Sequence, residues 1–218
     1  MSSKFIIIRV LLFVLLVVGT TSAMIAQDND FTTWTKFKVN HKIDSRFAVS
    51  GDLELRTEDD MSAIDRWGIS VGGDYRAFSF LKFEIGYETH YRNLGEIGWK
   101  FRHRYRIGAT ASFRYQWLKM SLRERFQQTF DRGESETRLR SRLKLGYAPQ
   151  KGIVSPYFSI EIYQSLDDAP FWRTARLRYR PGIETDLTKR WSLDAFYCYQ
   201  YESSRGKHIA GVEVGYSF

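Results

Sequence analysis

Several stretches of the chain place a cation at every second position: Arg102, Arg104 and Arg106; Arg123 and Arg125; Arg138, Arg140, Arg142 and Lys144; Arg176, Arg178 and Arg180. Guanidinium groups bind carboxylate or phosphate through paired N–H donors. In a segment whose side chains alternate with period two, all of these cations share one face. Carboxylates stand in the same phase elsewhere, at Asp52, Glu54, Asp74, Glu84, Glu88, Asp194, Glu202 and Glu213. A hydrolytic alternative needs a nucleophile and a base, and His90, Glu88 and Ser70 are the candidate set for a lipid-modifying enzyme. No Gly-x-Ser-x-Gly or His-Glu-x-x-His sequence accompanies them, so no catalytic residue is assigned. With 4 His and one Cys, the chain offers no metal-ligand cluster, and no cofactor is expected.

The elements that must position these charges are β-strands. Between 81 and 91, Leu81, Phe83, Ile85, Tyr87 and Tyr91 point one way, and Lys82, Glu84, Glu88 and His90 the other. This two-faced pattern recurs over 46–56, 66–77, 99–109, 118–130, 137–147, 158–166, 173–183, 191–201 and 208–218. The connections alternate between tight turns and polar, charge-rich loops, as in an up-and-down antiparallel barrel. Trp67, Tyr91, Trp99, Trp117, Tyr147, Trp172, Trp191 and Tyr201 fall near strand ends, where amphipathic rings sit at a membrane interface. The fold class is therefore an all-β, antiparallel, up-and-down transmembrane barrel of about 10–12 strands. Segment 31–39 has the phase of one more strand but would enter from the loop rim. Either a crossing is hidden between 111 and 130 or 31–39 lies inside the barrel.

Mean hydropathy of −0.39 resembles that of a water-soluble domain, yet a membrane barrel needs apolar residues only at alternate positions. Lys4 and Arg9, an apolar run from Val10 to Val18, and small residues up to Ala26 describe a secretory signal peptide over 1–26. The rest, 27–218, reads as one barrel domain, and the single Cys198 rules out an intramolecular disulfide framework. Tyr216 and Phe218 form the terminal aromatic pair that outer-membrane barrels present to the barrel assembly machinery. Together these give a Gram-negative bacterial outer membrane as the address. Glu124, His103 and Ser141 fall on the lipid-facing phase, and a bulge near Glu124 would restore it. Pro181 is expected near the short-turn rim, where pairing ends.

Asp30-Phe31-Thr32-Thr33-Trp34, Leu53-Glu54-Leu55-Arg56 and Asp65-Arg66-Trp67, with the mature length, resemble the family called domain of unknown function 2490, small outer-membrane barrel proteins. The resemblance implies no activity. The inner face carries the functional expectation: the basic wall faces the acidic side across the lumen, and the pairs plug it, so that the charge is chiefly structural. The alternatives are a narrow anion-selective pore along the basic wall and, third, a lipid-modifying enzyme. Expected partners are outer-membrane lipid, lipopolysaccharide and the assembly machinery. The net charge of +8 does not imply nucleic acid, because the arginines point inward. Oligomeric state is left open.

Overall fold

Alternation with period two leaves each segment one apolar and one charged face, and closing the sheet on itself separates the two faces completely. The computed structural model describes residues 30–131, 133–147, 154–167, 171–202 and 205–218; the expected signal peptide lies outside them. Eleven strands form a closed barrel: β1 (Asp30–Lys42), β2 (Phe47–Glu58), β3 (Ala63–Arg76), β4 (Leu81–Asn93), β5 (Trp99–Tyr115), β6 (Leu118–Asp131), β7 (Glu134–Tyr147), β8 (Val154–Ser165), β9 (Arg173–Asp186), β10 (Trp191–Glu202) and β11 (Arg205–Ser217). Each strand pairs antiparallel with its sequence neighbours, and the ring is closed by β1 lying parallel to β11 from Asp30↔Lys207 to Asn40↔Ser217.

Segment 31–39 is thus a wall strand, neither a plug nor a sign of a missing partner. No crossing is hidden between 111 and 130, because β5 runs on to Tyr115 and turns at 116–117, with Gln116 at φ 50°, straight into β6. The strand number is odd, which is why closure must be parallel. The expected difference in connection length is not seen either. By the strand bounds, the connections 43–46, 77–80, 116–117, 148–153 and 187–190 on the rim where the chain ends hold as many residues in all as 59–62, 94–98, 132–133, 166–172 and 203–204 opposite. Composition distinguishes the two rims, and the rim carrying 59–62 is called the polar rim below.

The outer face exposes Leu53, Val71, Ile85, Ile107, Leu122 and Leu143 across successive strands, and the rim aromatics expected from the sequence are all exposed. Several pair across strands: Trp67 stacks on Tyr91 with centroids 5.1 Å apart, and Trp191 meets Tyr216 at 4.8 Å. Glu124 faces outward with no bulge, since the register Ala109↔Glu124↔Ser141 is unbroken. Its charge is met by the Ser141 hydroxyl, which donates at 2.6 Å. His103 also faces outward and stacks on Phe130 at 4.9 Å. Register shifts occur instead at Arg56/Thr57 and Tyr163/Gln164. Pro181 sits within β9 opposite Phe158, away from the rim. The β9–β10 ladder passes from Gly182↔Phe196 to Tyr179↔Tyr199, skipping Arg180 and Pro181, the latter with no N–H to give.

Inside, bulky side chains lie flat across glycines of neighbouring strands. The Phe196 ring covers Gly211 so closely that an added Cβ would fall 1.9 Å from it, and Tyr157 covers Gly182 in the same way, at 2.6 Å. Cys198 and Ile209 complete this fully buried patch. In the turn 43–46, the Asp44 carboxylate accepts the backbone N–H groups of Phe47 at 2.7 Å and Arg46 at 2.6 Å, which hold it below the usual carboxylate range.

The parallel seam is testable. In a Cys198→Ser background, Thr35→Cys with Val212→Cys, direct partners on β1 and β11, should form an internal disulfide under mild oxidation and migrate faster on a non-reducing gel. Absence of the cross-link in a folded barrel would remove β1 from the wall.

Candidate functional site in the barrel lumen

The inward phase of every strand delivers charge to one enclosed space, and strand order decides which charges meet. The basic strands β5, β6, β7 and β9 lie beside or one strand away from β4, β8, β10 and β11, which carry acids in the same phase. The ion pairs accordingly run along the wall between near neighbours rather than across the lumen. Arg125 donates from Nε to Glu84 at 2.5 Å. Arg104 and Arg106 each lie 3.5 Å from Glu88. Arg176 makes a two-pronged contact with Glu202 at 2.8 and 2.6 Å. Arg180 reaches Asp194 at 2.6 Å, Glu213 at 3.1 Å and the Tyr157 hydroxyl at 2.8 Å, with its guanidinium 3.4 Å above the Phe196 ring.

At mid-height the network converges on a carboxylate that the charge pattern of the basic strands does not reveal. Glu161, on β8 and only 5% exposed, accepts from Arg140 at 2.8 Å, Arg123 at 3.2 Å and the Tyr163 hydroxyl at 3.1 Å, with Arg178 at 3.5 Å. The sequence does carry a signal for it: Ile160 and Ile162 face outward opposite Leu143 and Leu177, so the residue between them must face in. Trp34, in phase with Lys36 and Lys38, is likewise inward, held between the guanidinium groups of Arg56 at 3.8 Å and Arg178 at 4.6 Å.

The remaining residues of the basic wall and acidic side are placed as follows. Arg102 pairs with Asp131, and Arg138 with Glu136. Lys144 pairs with Glu184. Glu54 holds Arg56 at 2.8 Å and Lys36 at 3.4 Å, and Asp74 holds Lys82 at 3.1 Å. Among the described residues Arg142 has no hydrogen bond or ion pair. Asp52 accepts the Ser70 hydroxyl at 2.7 Å. That commits the candidate nucleophile to a carboxylate, while Ser70 stands opposite Glu88 and His90 opposite Gly68. His90 is 3% exposed and its Nδ1 is 3.6 Å from Glu88. The three do not form a relay. No group of three or more His, Cys, Asp or Glu suited to a metal occurs among the described residues. Tyr216 and Phe218 meet edge to face at 5.0 Å on the outer edge of the rim where the chain ends.

Above Glu161 the lumen opens. A cavity of about 940 Å³ reaches the polar rim and is lined by Arg56, Arg66, Arg104, Arg140 and Arg178 at its floor, by Trp34 and Tyr163, and by Arg92, Arg173 and Arg205 toward its mouth. Below Glu161, Ser159, Tyr157, Phe196 and Asp52 are all buried.

The family model for "Protein of unknown function (DUF2490)" matches residues 31–209, nearly the whole barrel. The chain belongs to the DUF2490 family. No curated protein matches it. Among solved structures it is similar to the translocator domain of the autotransporter NalP from Neisseria meningitidis, with 16% identity over 78% of this chain and 73% of that one and a TM-score of 0.48.

Removing Glu161 leaves several buried guanidinium groups short of their shared counter-charge, and breaking such a buried pair costs about 3–5 kcal/mol. Glu161→Gln should lower the urea midpoint of this DUF2490 barrel in detergent accordingly, whereas Glu124→Gln on the outer face should not. Equal midpoints for wild type and Glu161→Gln would show that the cluster does not hold the barrel.

Proposed function

We propose that this DUF2490 protein is an integral barrel of the Gram-negative outer membrane, freed of its signal peptide near Ala26, whose lumen is sealed in the half below Glu161. The observation that carries the sealed lumen is the Glu161 cluster itself, three arginines and a tyrosine drawn onto one buried carboxylate. The layer beneath it, where Phe196 and Tyr157 lie across Gly211 and Gly182, supports the same reading. An apolar outer surface framed by tryptophan and tyrosine supports the membrane address, and Tyr216 and Phe218 are the features that the assembly machinery would read. Lipopolysaccharide phosphates are the proposed contacts of arginines at the polar rim.

The expressed protein should partition with outer membranes and show a folded band on unheated gels that shifts on boiling. Recovery as soluble material without that shift would defeat the membrane assignment. In planar bilayers it should give no steady current. The second reading, a narrow anion-selective path, is favoured by Arg142, which stands on the lumen wall without a partner among the described residues. Its signature would be an anion-selective current that disappears in Arg140→Glu.

A further inference from the structure

The floor of the polar-rim cavity holds more cations than its surroundings neutralise. Arg56, Arg66, Arg104 and Arg140 line it together, and the buried Nε of Arg66 has no hydrogen-bond partner among the described residues and comes no nearer than 3.6 Å to a carboxylate oxygen. Among the described residues the lining carries twelve Lys and Arg and seven Asp and Glu, while Glu54, Glu88 and Glu161 behind it are three carboxylates for the five floor arginines Arg56, Arg66, Arg104, Arg140 and Arg178. Guanidinium groups gathered in a partly dehydrated space, against their own repulsion and short of counter-charge, are a site built for an anion. The cavity, at about 940 Å³, falls within the size range of small-molecule sites. Trp34 and Tyr163 stiffen it, since Arg178 lies 4.6 Å from the Trp34 ring and 4.8 Å from the Tyr163 ring. Because the lumen is sealed underneath, an anion drawn into this space from the polar rim would stop there.

We propose that the polar-rim cavity is a binding site for a compact ligand carrying two or more phosphate charges, gripped by the arginines of its floor. The proposal rests on the sealed-lumen reading and specifies what the open half takes up. Gln127, 5% exposed on the cavity wall opposite Arg106 and Arg138 in the ladder, is the position from which to test it. Gln127→Glu places a permanent counter-ion among the arginines.

The full barrel in detergent is titrated calorimetrically with inorganic pyrophosphate, with glucose as the neutral control. Wild type should bind pyrophosphate with an affinity that falls as salt rises, and should keep its folded gel band to a higher temperature when the anion is present. Gln127→Glu should weaken binding at least tenfold while itself surviving to a higher temperature without ligand, so a folding failure cannot mimic the result. Arg66→Gln should also weaken binding, and Lys144→Gln, below Glu161 at the level of Ser159, should not. Displacement of pyrophosphate by lipopolysaccharide but not by its phosphatase-treated form identifies a lipid headgroup as the source of the phosphates. Indifference to both identifies a free soluble anion. No heat of binding in a folded barrel, or equal affinity in wild type and Gln127→Glu, overturns the site. If such a barrel is silent in bilayers, the sealed-lumen reading survives that failure; a steady current defeats the seal whether or not pyrophosphate binds.

Discussion

Every charge on the inner face of this barrel has to be answered inside the barrel. The outer face is largely apolar, with Glu124 and His103 as exceptions, and an isolated guanidinium removed from water costs several kcal/mol. Strand order provides the answer. Acids on β4 stand beside bases on β5, acids on β10 beside bases on β9, and β8 brings Glu161 between β7 and β9. In an up-and-down barrel, sequence neighbours are spatial neighbours, so an alternating basic strand needs an acid on the strand beside it or, as Arg125 of β6 reaches Glu84 on β4 and Arg123 reaches Glu161 on β8, one strand further on. Short reach also favours these pairs: two residues in register across one ladder meet with their side chains nearly extended along the wall, and little rotamer freedom is spent on crossing open space.

The same packing divides the lumen by height. Where the wall carries glycine on one strand and a large ring on the next, the ring can lie flat and fill the section, as Phe196 does over Gly211 and Tyr157 over Gly182. Toward the polar rim the inward residues are long cations, paired to their neighbours along the wall, and they leave the centre free. Under the sealed-lumen proposal, closure below and space above are two results of one pattern, with Glu161 at the boundary.

Much of the fold could be read from alternation alone, because period two fixes which face each residue takes. The strand at 81–91 is recovered as β4 with its apolar residues outward, and the basic stretches fall on the inner face as their phase requires. What alternation does not fix is closure. Nothing in the pattern of 31–39 states that it pairs parallel with the last strand, since parallel and antiparallel edges present the same side chains and differ only in hydrogen bonds. Glu161 was legible from Ile160 and Ile162 but stands as a single acid in an apolar segment, without the repetition that makes the arginines conspicuous. Glu124 shows the opposite case: a hydroxyl on the adjacent strand relieves a charge that looked like an error of phase, and no backbone adjustment is needed. The register shift at Tyr163/Gln164, which turns Arg173 and Ala175 toward the cavity, leaves no trace in the sequence at all.

The parallel seam separates the two ends of the folded wall. β1 and β11 both run from the polar rim to the opposite one, so whatever precedes Asp30 joins the barrel on one side of the sheet's height and Phe218 closes it on the other. In an even-stranded barrel both ends share a rim. Here a short peptide tag placed just before β1 and one placed just after β11 would stand at opposite rims of the barrel, making the chain a natural ruler of its own orientation.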